Sequence, residues 1–155
     1  MKKNIFTKIL GILLAITCIT SCNSVDCPLN NTVYNTWTFY QEDEPVSITK
    51  EINVFLKVNG GDSLVVNKLT NAKSFSMPMS YYNPSDTVVI EYRNTSGTYI
   101  IEKDNLPHFN SPECGVWVEH NVTSIKGNHP LIDSVVVTNP KVDNIENENF
   151  RIYFK

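Results

Sequence analysis

Ile52-Asn53-Val54-Phe55-Leu56-Lys57-Val58-Asn59-Gly60-Gly61-Asp62-Ser63-Leu64-Val65-Val66-Asn67 decides the fold class. Ile52, Val54, Leu56 and Val58 alternate with Asn53, Phe55 and Lys57. A period of two is what a strand with one face against a core requires. Asn59-Gly60-Gly61-Asp62 breaks the run before Ser63 resumes it. Glycine supplies the positive φ of a tight turn, so this segment predicts a β-hairpin.

The same period runs outward in both directions. Val33, Asn35, Trp37 and Phe39 share one parity; Tyr34, Thr36, Thr38 and Tyr40 share the other. Ser74-Phe75-Ser76-Met77-Pro78-Met79-Ser80-Tyr81 alternates large and small residues. Pro78 lacks an N–H, which predicts an edge strand. Thr87 to Arg93 and Thr98 to Lys103 flank Asn94-Thr95-Ser96-Gly97, a second predicted hairpin. Cys114 to Val122 follows, with Cys114, Val116, Val118 and Val122 on one face. The nearly continuous apolar run from Ile132 to Thr138 predicts a central strand. Phe150, Ile152 and Phe154 close the chain. Turn signals every 8–12 residues and no helical period indicate an all-β domain over residues 31–155. The favoured architecture is an immunoglobulin-like antiparallel β-sandwich of about 7–9 strands, with a jelly roll as the alternative. Trp37 and Trp117 are candidates for its packed centre.

The N-terminus reads MKKNIFTKILGILLAITCITSCNSVDC. Lys2, Lys3 and Lys8 precede an apolar run from Ile9 to Ile16. That run has the length of a signal-peptide core and is too short for a transmembrane helix. Ile19-Thr20-Ser21-Cys22 resembles a bacterial lipobox, in which the cysteine sulfur forms the thioether to diacylglycerol. Residues 1–21 are therefore expected to be a lipoprotein signal peptide, Cys22 the lipidated residue and 22–30 a tether. An ordinary secretory signal is the competing reading. The expected location is the bacterial cell envelope, anchored by lipid to a membrane, with the outer membrane favoured. One acid, Asp26, does not choose between inner leaflet and cell surface. Cys27 and Cys114 are then expected to pair as a disulfide in an oxidising compartment. Two buried free thiols are the competing reading.

The 155 residues are 41% hydrophobic and 10% aromatic, which excludes a disordered tail. A net charge of −3 argues against a nucleic-acid partner, whose phosphates need clustered Lys and Arg. Losing three lysines with the signal makes the mature balance 10 − 16 = −6. His108, His120 and His129 are 12 and 9 residues apart, a spacing that does not read as a zinc site. Glu42-Asp43-Glu44 and the group Asp143, Glu146 and Glu148 are oxygen-rich, but neither has the order of an EF-hand loop. They read as solvated turns. Met77 and Met79 read as a buried strand face rather than a Cu(I) pair. Tyr34, Tyr40, Tyr81, Tyr82 and Tyr153 could form a sugar-stacking platform, although aromatics are favoured on strands in any case. No nucleophile motif is legible, so no catalytic residue, metal or cofactor is expected and the chain reads as a non-enzyme.

With these motifs laid out, the chain resembles a family of small, uncharacterised Bacteroidota cell-envelope lipoproteins classed as a domain of unknown function. The resemblance rests on Asp26-Cys27-Pro28-Leu29-Asn30-Asn31, Met77-Pro78-Met79-Ser80-Tyr81 and His108-Phe109-x-Ser111-Pro112-Glu113-Cys114-Gly115. It continues through Ile132-Asp133-Ser134, Asn139-Pro140 and Glu148-Asn149-Phe150-Arg151-Ile152-Tyr153-Phe154. It implies no activity; it implies that Cys27 and Cys114 are family features. The expected function is a non-enzymatic binding or structural module of unknown ligand, held to the membrane by its lipid, whose partner would be another envelope protein or a glycan. A glycan-binding accessory lipoprotein is the alternative, and a periplasmic or surface hydrolase a more distant one.

Overall fold

A computed structural model describes residues 32–58 and 61–155, the side chain of Asn110 excepted. The signal peptide, Cys22, Cys27 and the tether lie outside the described residues.

Eleven strands form two sheets among the described residues. The first sheet holds β1 (Tyr34–Gln41), β2 (Glu44–Pro45), β5 (Ser74–Pro78), β9 (Ile132–Val137) and β11 (Glu148–Phe154). The second runs β10 (Lys141–Val142), β8 (Gly115–Asn128), β7 (Thr95–Ser111), β6 (Ser85–Tyr92), β3 (Ile52–Val58), β4 (Gly61–Leu69). The chain is thus an all-β sandwich, as the period of two predicts. Setting aside β2 and β10, which have two residues each and offer no period to read, leaves nine strands.

The inward parities pack as read. Trp37 is fully buried, its ring 4.4 Å from Phe150 and 5.6 Å from Phe75. Its indole N–H donates to Asn35 Oδ1, and Asn35 Nδ2 donates to the Met77 carbonyl at 3.0 Å. A buried indole needs such a partner, which explains why a polar Asn35 shares the apolar parity. Ile52, Val54, Val88, Ile90 and Ile101 cover this centre from the second sheet. Fully burying each such aliphatic side chain stabilises by about 1.5–3 kcal/mol.

Four features depart from the sequence reading. First, β1 and β11 pair in parallel, Thr38 opposite Arg151, so the sheets are not wholly antiparallel. Asn149 fills the irregularity in that pairing: its Oδ1 accepts from Thr36 N–H at 3.0 Å, and its Nδ2 reaches the Lys141 and Asn139 carbonyls. Second, β9 is an edge strand, with Val136 exposed, whereas β5 holds the predicted edge position beside β1. Third, the β6–β7 turn is Arg93-Asn94, both at positive φ, so Thr95, Ser96 and Gly97 of the expected Asn94–Gly97 turn are paired in β7 instead. Fourth, Trp117 is only partly buried, at the margin of the core beside the ring of His108.

β7 and β8 outrun the sheet. β6 pairs β7 only as far as Glu102, and β10 touches β8 only at His120 and Asn121. Residues 104–119 therefore project as a two-stranded arm ending in the Pro112-Glu113-Cys114 turn.

Candidate functional site

The most concentrated chemistry in the described residues is a buried polar cluster at the base of this arm. Tyr99, Ile101 and Lys103 share the inward parity of β7, so Lys103 enters where the pattern offers an apolar residue. A register irregularity between Glu102 and Lys103 marks the place. The ammonium is fully enclosed and donates to the Ser80 carbonyl at 2.6 Å, the Asn83 carbonyl at 2.8 Å and Asn105 Oδ1 at 2.8 Å. Asp86 Oδ2 lies 3.7 Å away and supplies the counter-charge. The Ser80 hydroxyl and N–H both donate to the Asp86 carboxylate. His120 extends the network: its Nδ1 is 2.8 Å from Asn105 Oδ1. An oxygen that already accepts from Lys103 is an acceptor here too, so His120 carries its proton on Nδ1.

Burial pushes the Lys103 ammonium below its ordinary range, although Asp86 pulls the other way. Burial, reinforced by the Lys103 charge, pushes His120 down to about 4. A lysine of lowered pKa and a neutral histidine are groups that nucleophilic catalysis uses. Here all three ammonium protons are consumed by carbonyl oxygens inside the sandwich. The arrangement fastens the 79–84 loop to β7 and presents no reactive atom to solvent.

The other histidines lie elsewhere. His129 accepts the Leu131 N–H on Nδ1 at 3.1 Å and approaches the Thr95 carbonyl through Nε2 at 3.3 Å, at the far end of the molecule. His108 stacks on Trp117 at 4.9 Å, with Nε2 3.2 Å from Glu119. Glu119 is shared with Lys141 at 3.4 Å, and Lys141 also meets Asp143 at 3.0 Å. Among the described residues no three His, Cys, Asp or Glu side chains converge on a metal position.

The acidic groups are dispersed. Glu42 and Asp43 form the positive-φ turn between β1 and β2. Asp143 Oδ1 accepts the Ile145 N–H at 2.9 Å, a local turn bond. Glu148 is turned onto Arg151 Nε at 2.6 Å and the Tyr40 hydroxyl at 3.1 Å. Its burial raises the carboxyl, but the bonds from Arg151, Thr38 and Tyr40 outweigh that and hold it below its ordinary range. Met77 and Met79 are both in the core. The tyrosines do not make one platform. Tyr40 is buried beneath the Arg151 guanidinium, beside Tyr153, while Tyr34, Tyr81 and Tyr82 lie at the other end of β1.

Cys114 sits in the arm-tip turn, its N–H donating to Ser111 Oγ at 3.1 Å. The expected pairing with Cys27 falls outside the described residues. The sequence reading missed the Lys103–Asp86–Asn105–His120 cluster. Its local signals were a lysine on the inward parity of β7 and His120 on the parity of Val118 and Val122.

At the end opposite the arm, two open grooves meet at Tyr92 and Arg93. The larger, about 530 Å³, is lined by Lys50, Glu51, Glu91, Arg93 and Asn94 among others. The smaller, about 320 Å³, runs between Gln41 and Lys155.

Residues 46–154 match a family described as "Family of unknown function (DUF6452)". The matched stretch begins after β1. No curated protein and no solved structure matches the chain.

Proposed function

The chain belongs to the DUF6452 family of unknown function, and from its fold and polar groups we propose a non-enzymatic, lipid-anchored envelope protein that binds another envelope protein. The anchor reading is carried by Lys2 to Cys22, with the thioether on Cys22 and residues 22–30 as the tether. Several acyl chains would hold such a protein stably where one is marginal. Cys27 is proposed as the partner of Cys114. The binding reading is carried by one observation: two open grooves with charged walls meet at Tyr92 and Arg93, at the end opposite the arm. Their walls mix both charge signs, which suits a protein surface better than a polyanion. A glycan reading would rest on Tyr34, Tyr81 and Tyr82 alone.

In-cell cross-linking followed by membrane pull-down tests this. Wild type is expected in the membrane fraction with the same envelope protein in every replicate. Recovery of no reproducible partner would refute the binding role. Retention of a Cys22→Ala variant in the membrane would refute the anchor.

A further inference from the structure

The two ends of the sandwich differ. Tyr82, Phe109 and Ile145 are 91%, 70% and 66% exposed, the three highest values among the exposed large apolar residues. All three lie at the arm end. Tyr82 is in the 79–84 loop that Lys103 fastens to β7, and Phe109 is on the arm. Ile145 sits in the loop after β10, whose neighbours line a cleft with Thr32 and Tyr34. Leu106 and Val116 add to them on the arm. The opposite end, formed by the 42–51, 93–94 and 129–131 loops, presents none of the exposed large apolar side chains. Phe109 and Val116 are cross-strand partners. Val116 continues the strand parity of Val118, His120 and Val122, which are buried, beyond the reach of the facing sheet.

The described chain also begins at the arm end: Thr32 Oγ1 lies 2.7 Å from the Tyr81 hydroxyl. Nine residues, 23–31, separate Thr32 from Cys22. At about 3.5 Å per residue the lipidated cysteine is within ~35 Å of this end. With Cys27 held at the arm tip, the remaining five steps from Cys22 shorten that to ~18 Å. The anchor would thus attach nearest the apolar end and hold that end closest to the bilayer.

We propose that the arm end of the sandwich rests on the bilayer, with Phe109, Val116, Leu106, Tyr82 and Ile145 as its interfacial contacts. This rests on the anchor reading above. Aromatic and aliphatic loop residues favour the headgroup boundary, where an apolar body is buried and a polar end stays wet. Glu113 and Glu146 are exposed at this end, and the Lys141 ammonium is balanced by Glu119 and Asp143, so the contact is apolar and independent of anionic lipid. The Tyr92–Arg93 grooves then face away from the membrane, open to a partner.

Brominated-lipid quenching decides the point. The full lipidated chain, as Phe109→Trp, Ile145→Trp or Lys50→Trp, is reconstituted into phosphatidylcholine vesicles brominated near the headgroup. Emission is read as the difference from wild type, which carries Trp37 and Trp117. The first two variants are expected to lose emission and Lys50→Trp to keep it. Unquenched emission from Phe109→Trp and Ile145→Trp in an acylated chain overturns the docking and leaves the anchor standing. If Phe109→Trp is shielded from iodide equally in a soluble Cys22→Ala chain, residues 23–31 or a second copy cover the arm, and the proposal falls. An intact mass without the acyl groups removes the anchor itself, and the docking with it.

Discussion

Lys103 stands at an inward strand position, where desolvating a charge costs several kcal/mol. Three carbonyl acceptors and Asp86 offset that cost. The charge is worth keeping only while the partners remain, so the pair fails asymmetrically. Lys103→Met leaves Asp86 enclosed without a cation and is expected to lose about 3–5 kcal/mol in urea denaturation. Adding Asp86→Asn should return part of that loss, because no buried charge then remains. A double variant no better than the single would show that the cation is irrelevant to Asp86. His120 makes a separate claim. Its folded pKa, about 4, lies below the 6.5 of a free imidazole. Between these values the unfolded chain binds a proton that the native chain does not, so stability falls as pH drops. The full shift corresponds to about 3 kcal/mol, lost between pH 6.5 and 4 and flat beneath. Denaturation midpoints from pH 7 to 5 should fall in wild type and fall less in His120→Asn; equal slopes would contradict the assignment.

At the scale of elements, Gly97 shows how local reading fails. In sequence it closes the expected turn Asn94-Thr95-Ser96-Gly97, yet the turn is Arg93-Asn94, at φ of 51° and 60°. Asparagine tolerates that left-handed region and arginine has no such preference, so nothing local outranked the glycine. Gly97 is needed for another reason: a Cβ there would strike the Asn128 carbonyl oxygen and lie 2.5 Å from His129 Cβ. Gly97→Ala is therefore expected to cost about 1–3 kcal/mol through overpacking. Asn94→Gly, which relaxes the real turn, should stay within about 1 kcal/mol of wild type or improve on it. The reverse ranking in thermal melts would put the turn back at Gly97. What was legible was face and period: Val33, Asn35, Trp37 and Phe39 inward, Met77 and Met79 inward, Pro78 on an edge. Partners were not legible. The pairing of β1 with β11 joins positions 113 residues apart, and the edge position of β9 depends on that pairing. The Lys103 cluster stayed hidden for the same reason, since Ser80, Asn83 and Asp86 meet the lysine through the fold and not through spacing.

For the whole molecule, the same long-range closure sets what must hold the first sheet together. β1 lies between β5 on one side and β11 on the other, so the first described strand joins a sheet completed by β9 and β11 from the far end of the sequence. Bringing such distant segments together carries the loop-closure entropy that makes β-sandwiches slow and marginal folders. A Cys27–Cys114 bridge would remove part of that cost from the unfolded chain. It would close a loop of 114 − 27 = 87 residues, spanning the segment just before β1 and the tip of the arm. The chain-entropy relation for that loop gives about 4.6 kcal/mol. Reduction, or Cys114→Ser, is expected to lower the unfolding free energy by that order, read from a lower urea midpoint. Alkylation before reduction should leave the Cys27 and Cys114 peptides unmodified. Two alkylatable thiols at those positions, or a midpoint indifferent to reductant, would sink the pairing. In that event the arm tip would hang on the ~35 Å tether alone. Any contact of Phe109 with the bilayer would then have to come from its own burial, without the disulfide to hold it there.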